Sequence, residues 1–240
     1  MAGLLNPAMV TAGLVSGAAA AMAWAVRVPS CTWLAPSHHR GVRSRRAIAL
    51  TFDDGPSEST PMLLDLLVKH GVRATFFQCG ANVRRLPEVA RRVAVEKHCV
   101  GNHTVSHPLL SLHSAKFIYS EMAEAQRIIK DATGGEPRWF RPPFGVRWFG
   151  LRSAQERLRL TSVLWSTIGK DWKWPAEAVA SRLMAGATEG AIFCLHDGRA
   201  LQVRPDIDTT LQAVARVIPM LRDQGFLFET VDEILCPTTT

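Results

Sequence analysis

From residue 47 onward the chain repeats one pattern: a short apolar run, then a longer segment whose apolar residues recur at helical spacing. The runs fall at 47–52, 74–79, 98–102, 139–141, 161–165, 191–195 and 226–229. The helical segments fall at 60–70, 87–96, 114–131, 149–158, 175–187 and 209–224. Gly71 and Gly225 sit just past two of them, where a left-handed residue ends a helix. Such alternation builds parallel strand–helix–strand units. An open doubly wound sheet and a closed barrel both satisfy it, and both gather ligands at the C-terminal ends of the strands. The unusual polar residues stand at those ends. Asp53 and Asp54 follow the first run, and His103 and His107 the third. Arg141 ends the fourth, Asp171 lies beyond the fifth, and His196 and Asp197 follow the sixth.

Thr51-Phe52-Asp53-Asp54-Gly55-Pro56 closes an apolar strand with adjacent carboxylates. Like charges this close resist joint ionisation unless a cation lies nearby. One can then bind a divalent metal while the other serves as a base; a turn and helix cap before residue 60 is the competing reading. His103-Thr104-Val105-Ser106-His107 spaces two imidazoles four residues apart, which on a helical turn puts both on one face. With Asp54 they form a two-histidine, one-carboxylate set with open positions, suited to zinc or another first-row metal. In Arg141-Pro142-Pro143-Phe144-Gly145 the guanidinium can pair with a carboxylate, and the stiff loop can aim the Phe144 N–H at an oxyanion. His196 at a strand end suits a general acid near neutral pH, with Asp171 placed to orient it. Trp172 and Trp174 suit packing or stacking on a sugar ring.

The motifs TFDDGP, HTVSH, RPPFG, KDWKW and LHD, in this order between residues 47 and 234, resemble those of the polysaccharide deacetylases, the carbohydrate esterase 4 family. The resemblance implies an α/β fold, a distorted, incomplete (β/α)7 barrel with the active site at the C-terminal ends of the strands. It implies a metal-dependent hydrolase that removes an N-acetyl group from an amino sugar in a polysaccharide, oligosaccharide or glycolipid. By that likeness Asp53 is the base, paired with Arg141, and Asp54, His103 and His107 hold one divalent metal, zinc before cobalt, manganese, iron or nickel. Phe144 lends its N–H to the oxyanion, His196 protonates the leaving amine and Asp171 orients His196. Leu195 and Trp172 shape the acyl pocket. Two positions depart from the pattern: Ile168 stands where an additional Asp is frequent, and Phe144 replaces a frequent Tyr. A deformylase or O-acetyl esterase acting on a lipid-linked sugar or xylan-like polymer is the alternative within hydrolases. A non-catalytic carbohydrate-binding module is the alternative outside them, and it would need neither Asp53 nor His196.

Composition narrows the partners. Hydrophobic residues make up 47% and charged residues 20% of 240, enough for one domain with a full core. The net charge is +7, but part of the excess is the local cluster Arg40, Arg43, Arg45 and Arg46. No basic run is interleaved with aromatics, so nucleic acid is not an expected partner. Five cysteines without a CxxC pair argue against a disulfide framework and against a thiolate zinc site. Residues 9–26 carry no charge and basic residues follow them. That pattern is read as a membrane-associated segment or a leader cleaved on secretion, with the side of the membrane left open. The expected organisation is an apolar leader and basic linker over 1–46, then a catalytic domain over 47–236, acting as a monomer on carbohydrate.

Overall fold

The structure, a computed structural model, describes residues 7–236. Its strands are β1 Ser37–His38, β2 Ala47–Asp53, β3 Thr75–Gln78, β4 Cys99–Asn102, β5 Trp139–Phe140, β6 Thr161–Val163, β7 Thr167–Ile168, β8 Ala191–His196 and β9 Leu227–Phe228. Its helices are α1 Pro7–Arg27, α2 Thr60–Lys69, α3 Gly80–Arg85, α4 Pro87–Val95, α5 Ala115–Thr133, α6 Leu151–Leu158, α7 Ala176–Ala185, α8 Asp208–Asp223 and α9 Val231–Leu235. The strand order is β1-β6-β5-β4-β3-β2-β8-β7, with β9 beside β2, and every ladder is parallel. The two end strands, β1 and β7, do not pair with each other, so the barrel stays incomplete, as the sequence implied. Among the described residues two strands exceed the expected seven: β1 and β7, each two residues long and too short to register as an apolar run.

Strand β2 shows why this sequence makes this sheet. All seven residues of Ala-Ile-Ala-Leu-Thr-Phe-Asp are buried, the mark of a strand covered on both faces. Side chains alternate between the faces. Ile48, Leu50 and Phe52 join the outer core, against Leu63, Leu64 and Leu67 of α2, Leu183 of α7 and Val214 of α8. Ala47 and Ala49 face inward with Phe77, Val163 and Ile192, and α9 closes that end through Val231 and Ile234. Each large outer side chain stabilises the fold by roughly 1.5–3 kcal/mol. Toward the C-terminal end the inward positions turn polar: Thr51, then Asp53. Helix α5 has the cleanest ends. Ser114 caps it by accepting from the Phe117 N–H at 3.3 Å, and Gly134 stops it in the left-handed conformation, φ 76°.

Residues 28–46 differ from the expected linker. β1 adds to the edge of β6, the Gly41 N–H donates to Gly190 O at 2.8 Å, and Ala35 is buried against α5 and α6. The fully buried Arg147 donates to the carbonyls of Val28 and Cys31. These contacts come from backbone polar groups meeting a sheet edge, which composition does not announce. Helix α1 covers the apolar N-terminal stretch, yet among the described residues no helix is long and apolar enough to cross a membrane. Its Ala- and Gly-rich sequence offers little apolar area per residue. All five cysteines are free.

Candidate active site

The inward, C-terminal end of the sheet opens into a cavity of about 420 Å³. Asp53 is the last residue of β2, and its Oδ1 accepts from Arg141 Nη1 at 2.7 Å. Arg141 has no exposed surface. Three further donors go to Thr51 Oγ1 (2.6 Å), Val163 O (2.8 Å) and Leu164 O (3.0 Å), and its guanidinium lies 4.1 Å from the Phe77 ring centroid. The buried charge is therefore paired and hydrogen-bonded, the condition under which such burial is tolerated.

Asp54 lies one residue past the strand with φ 74°. Its Oδ2 accepts the Ala200 N–H at 2.8 Å, and its backbone oxygen accepts from Asn82 Nδ2 at 2.7 Å. Its Oδ1 is buried and receives no hydrogen bond. That bare oxygen faces His107 Nε2 at 3.0 Å and His103 Nε2 at 3.4 Å. His103 Nδ1 donates to Arg141 O at 2.6 Å; a carbonyl only accepts, so in the neutral ring the proton sits on Nδ1 and Nε2 keeps its lone pair. The two histidines were expected on a helical turn, but they flank a loop with left-handed backbone at Thr104 (φ 68°) and His107 (φ 55°). The three ligand atoms lie within 4.8 Å of one another. An orphaned buried carboxylate oxygen beside two imidazole nitrogens fits a divalent cation.

Asp53, Cys194 and His196 form a second close group. It does not suit a metal. Arg141 already holds Asp53 Oδ1, and burial, then the Asp53 and Asp171 charges against the opposing Arg141, push the Cys194 thiol well above its ordinary pKa. That thiol donates to Asp53 Oδ2 at 3.4 Å.

His196 ends β8 in register with Asp53. Its Nδ1 pairs with Asp171 Oδ1 at 2.8 Å, and its N–H donates to Asp171 Oδ2 at 2.9 Å. Thr210 Oγ1 donates to the same Oδ2 at 2.6 Å. Burial disfavours the imidazolium, but Asp171 first, then Asp54 and Asp53, raise its pKa to about 9. Asp171 is held below its ordinary value: burial opposes, and His196 and Thr210 prevail. Behind Asp54, the buried Asp197 accepts from Thr60 Oγ1 at 2.6 Å, and burial, reinforced by Asp54, raises it to about 7. A Cβ at Gly55 would fall 2.1 Å from this carboxyl, so only glycine fits there.

The family model for polysaccharide deacetylase matches residues 40–163. The chain belongs to the polysaccharide deacetylase family. It is 37% identical over 194 residues to a peptidoglycan-N-acetylglucosamine deacetylase of Listeria monocytogenes, covering 80% of this chain and 39% of that protein. It is also 37% identical to a chitooligosaccharide deacetylase of a Bradyrhizobium strain, covering 77% of this chain and 89% of that one. A solved peptidoglycan N-acetylglucosamine deacetylase superposes with a TM-score of 0.79 at 30% identity, covering 84% of this chain and 94% of that one.

Within this polysaccharide deacetylase fold, nine of the ten expected site residues gather at the cavity or on its immediate partners. Asp53, Asp54, His103, His107, Phe144, Trp172 and His196 line it, and Arg141 and Asp171 stand behind Asp53 and His196. Leu195 is the correction. It is fully buried in the outer core with Phe193 and does not line the cavity; Cys194 does. The reason is the two-residue period of a strand: 194 and His196 share the inward face, and 195 takes the other. That alternation was the signal that would have found Cys194. Ile168, the departure from the family pattern, also lines the cavity and is the register partner of Cys194. Arg199, Trp165 and the Ala200 N–H were missed as well, and no spacing in the sequence marks them.

Proposed function

We propose that this chain is a metal-dependent hydrolase that removes the N-acetyl group from an amino sugar in a polysaccharide or oligosaccharide. The observation that carries the reading is a single cavity faced by the bare ligand set Asp54, His103 and His107, by the carboxylate Asp53, and by the charged His196. A divalent metal there, zinc first among the candidates, supplies Lewis acidity toward the acyl carbonyl and lowers the pKa of water. Asp53, fixed by Arg141, accepts the proton of the water that attacks the carbonyl carbon. The Phe144 N–H serves the oxyanion. His196, oriented by Asp171, gives its proton to the nitrogen as the C–N bond breaks, leaving acetate and a free amine. No side-chain nucleophile is required, and the burial of Cys194 is in keeping with that.

The substrate class follows from the relatives, whose names specify peptidoglycan N-acetylglucosamine and chitooligosaccharides. Peptidoglycan lies outside the cytoplasmic membrane, which favours action there. We place the start of the catalytic unit near residue 28, because residues 28–46 complete the sheet edge. The test is acetate release from chitooligosaccharides, peptidoglycan and acetyl-xylan by the zinc-loaded chain. Release from the amino sugars and little from the xylan ester supports an amide hydrolase. Release from the xylan alone would replace this reading with an O-acetyl esterase, and glycan binding without release would leave a carbohydrate-binding module.

A further inference from the structure

The loop between the two histidine ligands is held from outside the site by a carboxylate that no motif includes. Glu121 lies on α5. Its Oε2 accepts the N–H of Val105 at 3.0 Å and the N–H of Ser106 at 2.8 Å, and its Oε1 accepts from Ser106 Oγ at 3.0 Å. Those two backbone donors lie between His103 and His107. The loop's carbonyls are held from the other side: Gly80 N–H donates to Thr104 O at 2.8 Å and Ala81 N–H to Val105 O at 3.1 Å. Within the loop, Thr104 N–H donates to Asn102 Oδ1 at 2.9 Å, and His107 N–H to Thr104 Oγ1 at 3.1 Å. Asn102 is itself tied to α5 through Met122 O (2.9 Å) and Gln126 Oε1 (3.0 Å).

These restraints matter because the loop is not a low-energy path. Thr104 and His107 both have positive φ, which residues carrying a Cβ adopt only when the surroundings impose it. A helix would have set the two imidazoles by its own backbone bonds; here the setting comes from what grips the loop. A carboxylate accepting two adjacent N–H groups is a charge-assisted clamp, stronger than a neutral one. We propose that Glu121 is a positioning residue for the metal site: it fixes the 104–107 turn so that His107 Nε2 stays beside Asp54 Oδ1. The proposal rests on the metal-site reading above.

The test is zinc affinity of the chelator-stripped full-length chain, measured against a competing chromophoric chelator. Glu121→Ala is expected to weaken zinc binding about 10–100-fold, the usual cost of losing a partner that orients a metal ligand. Glu121→Gln is expected to recover most of that loss, because its carbonyl oxygen can still accept both N–H groups. Glu124→Ala, which removes a neighbouring exposed carboxylate paired with Arg84, is expected to leave affinity unchanged. Melting of the metal-free chains separates positioning from general damage: a purely structural role would lower the melting temperature and leave the affinity of the folded chain intact. If Glu121→Ala does not fold, Glu121→Asp shortens the reach and is expected to lose affinity in the same direction. Wild-type affinity in Glu121→Ala, or in Glu121→Asp where the alanine variant does not fold, overturns the inference alone. A wild-type chain that binds no zinc overturns the site reading and the inference with it.

Discussion

The two walls of the cavity hold charged groups in opposite ways. On the wall built by β2, β4 and the loops after them, polar atoms are left bare: Asp54 Oδ1 is buried with no hydrogen bond, and His103 Nε2 keeps its lone pair. On the wall built by β8, little is left over. The two oxygens of Asp171 take hydrogen bonds from His196 Nδ1, the His196 N–H and Thr210. A buried acceptor without a donor costs roughly 1–3 kcal/mol, so the first wall is stabilised by a group from outside the chain that completes it. The Asp171–His196 pair is complete and already charged. The proposed function divides the work along this difference: one side would receive a cation and the other would deliver a proton.

The largest expected effect breaks the first wall's chemistry without emptying it. Asp53→Asn removes the base but no ligand. Turnover is expected to fall about 10³-fold or more, the upper part of the range for general-base catalysis, while zinc still binds. Acetate release and zinc titration on the same preparation check both halves.

Next in size is the loss of the cation itself. His103→Ala or His107→Ala removes a ligand, and the rise in melting temperature that zinc gives the unaltered chain is expected to shrink or vanish, since a ligand stabilises only a state that binds it. Melting with and without chelator reads this directly. An undiminished zinc-dependent rise in either variant would show that the bare wall is not the metal site.

The second wall is tested by pH. His196 has a folded pKa of about 9 against an ordinary 6.5. A raised pKa means stabilisation that is fully present below about pH 6.5 and is lost as pH climbs through about 9. The metal-free chain is therefore expected to lose melting temperature across that window, and His196→Gln is expected to flatten the loss. Zinc should shift the window downward, because part of the elevation comes from Asp54 and Asp53. Smallest is Thr210→Val, which removes one donor to Asp171; a stability loss of about 1 kcal/mol and a drop of a few-fold in kcat are expected, by urea unfolding and initial rates.

On both walls the sequence showed residue identity better than backbone geometry. Asp53, Asp54, His103 and His107 sit in short motifs at strand ends, so residue type and spacing pointed to them. The alternation of runs and helices gave the parallel sheet for the same reason: burial on both faces leaves a continuous apolar record in β2 and β8. What failed depended on backbone geometry. The four-residue spacing of the histidines suits a helix, and nothing in Thr-Val-Ser signals the left-handed turn at Thr104. Leu195 falls in the outer core because the two-residue period of β8, with His196 facing inward, turns it the other way. The edge strand β1 was invisible because its two residues, Ser37 and His38, pair through the backbone and carry no apolar pattern.

The measurement that bears most directly on the central claim is acetate release from N-acetylglucosamine oligomers by the chain stripped with chelator, then restored with one equivalent of zinc, beside Asp53→Asn treated identically. The account predicts no release when stripped, recovery with zinc, and no recovery in Asp53→Asn although it binds the metal. Release by the stripped chain, or by zinc-loaded Asp53→Asn at the rate of the unaltered chain, would contradict it.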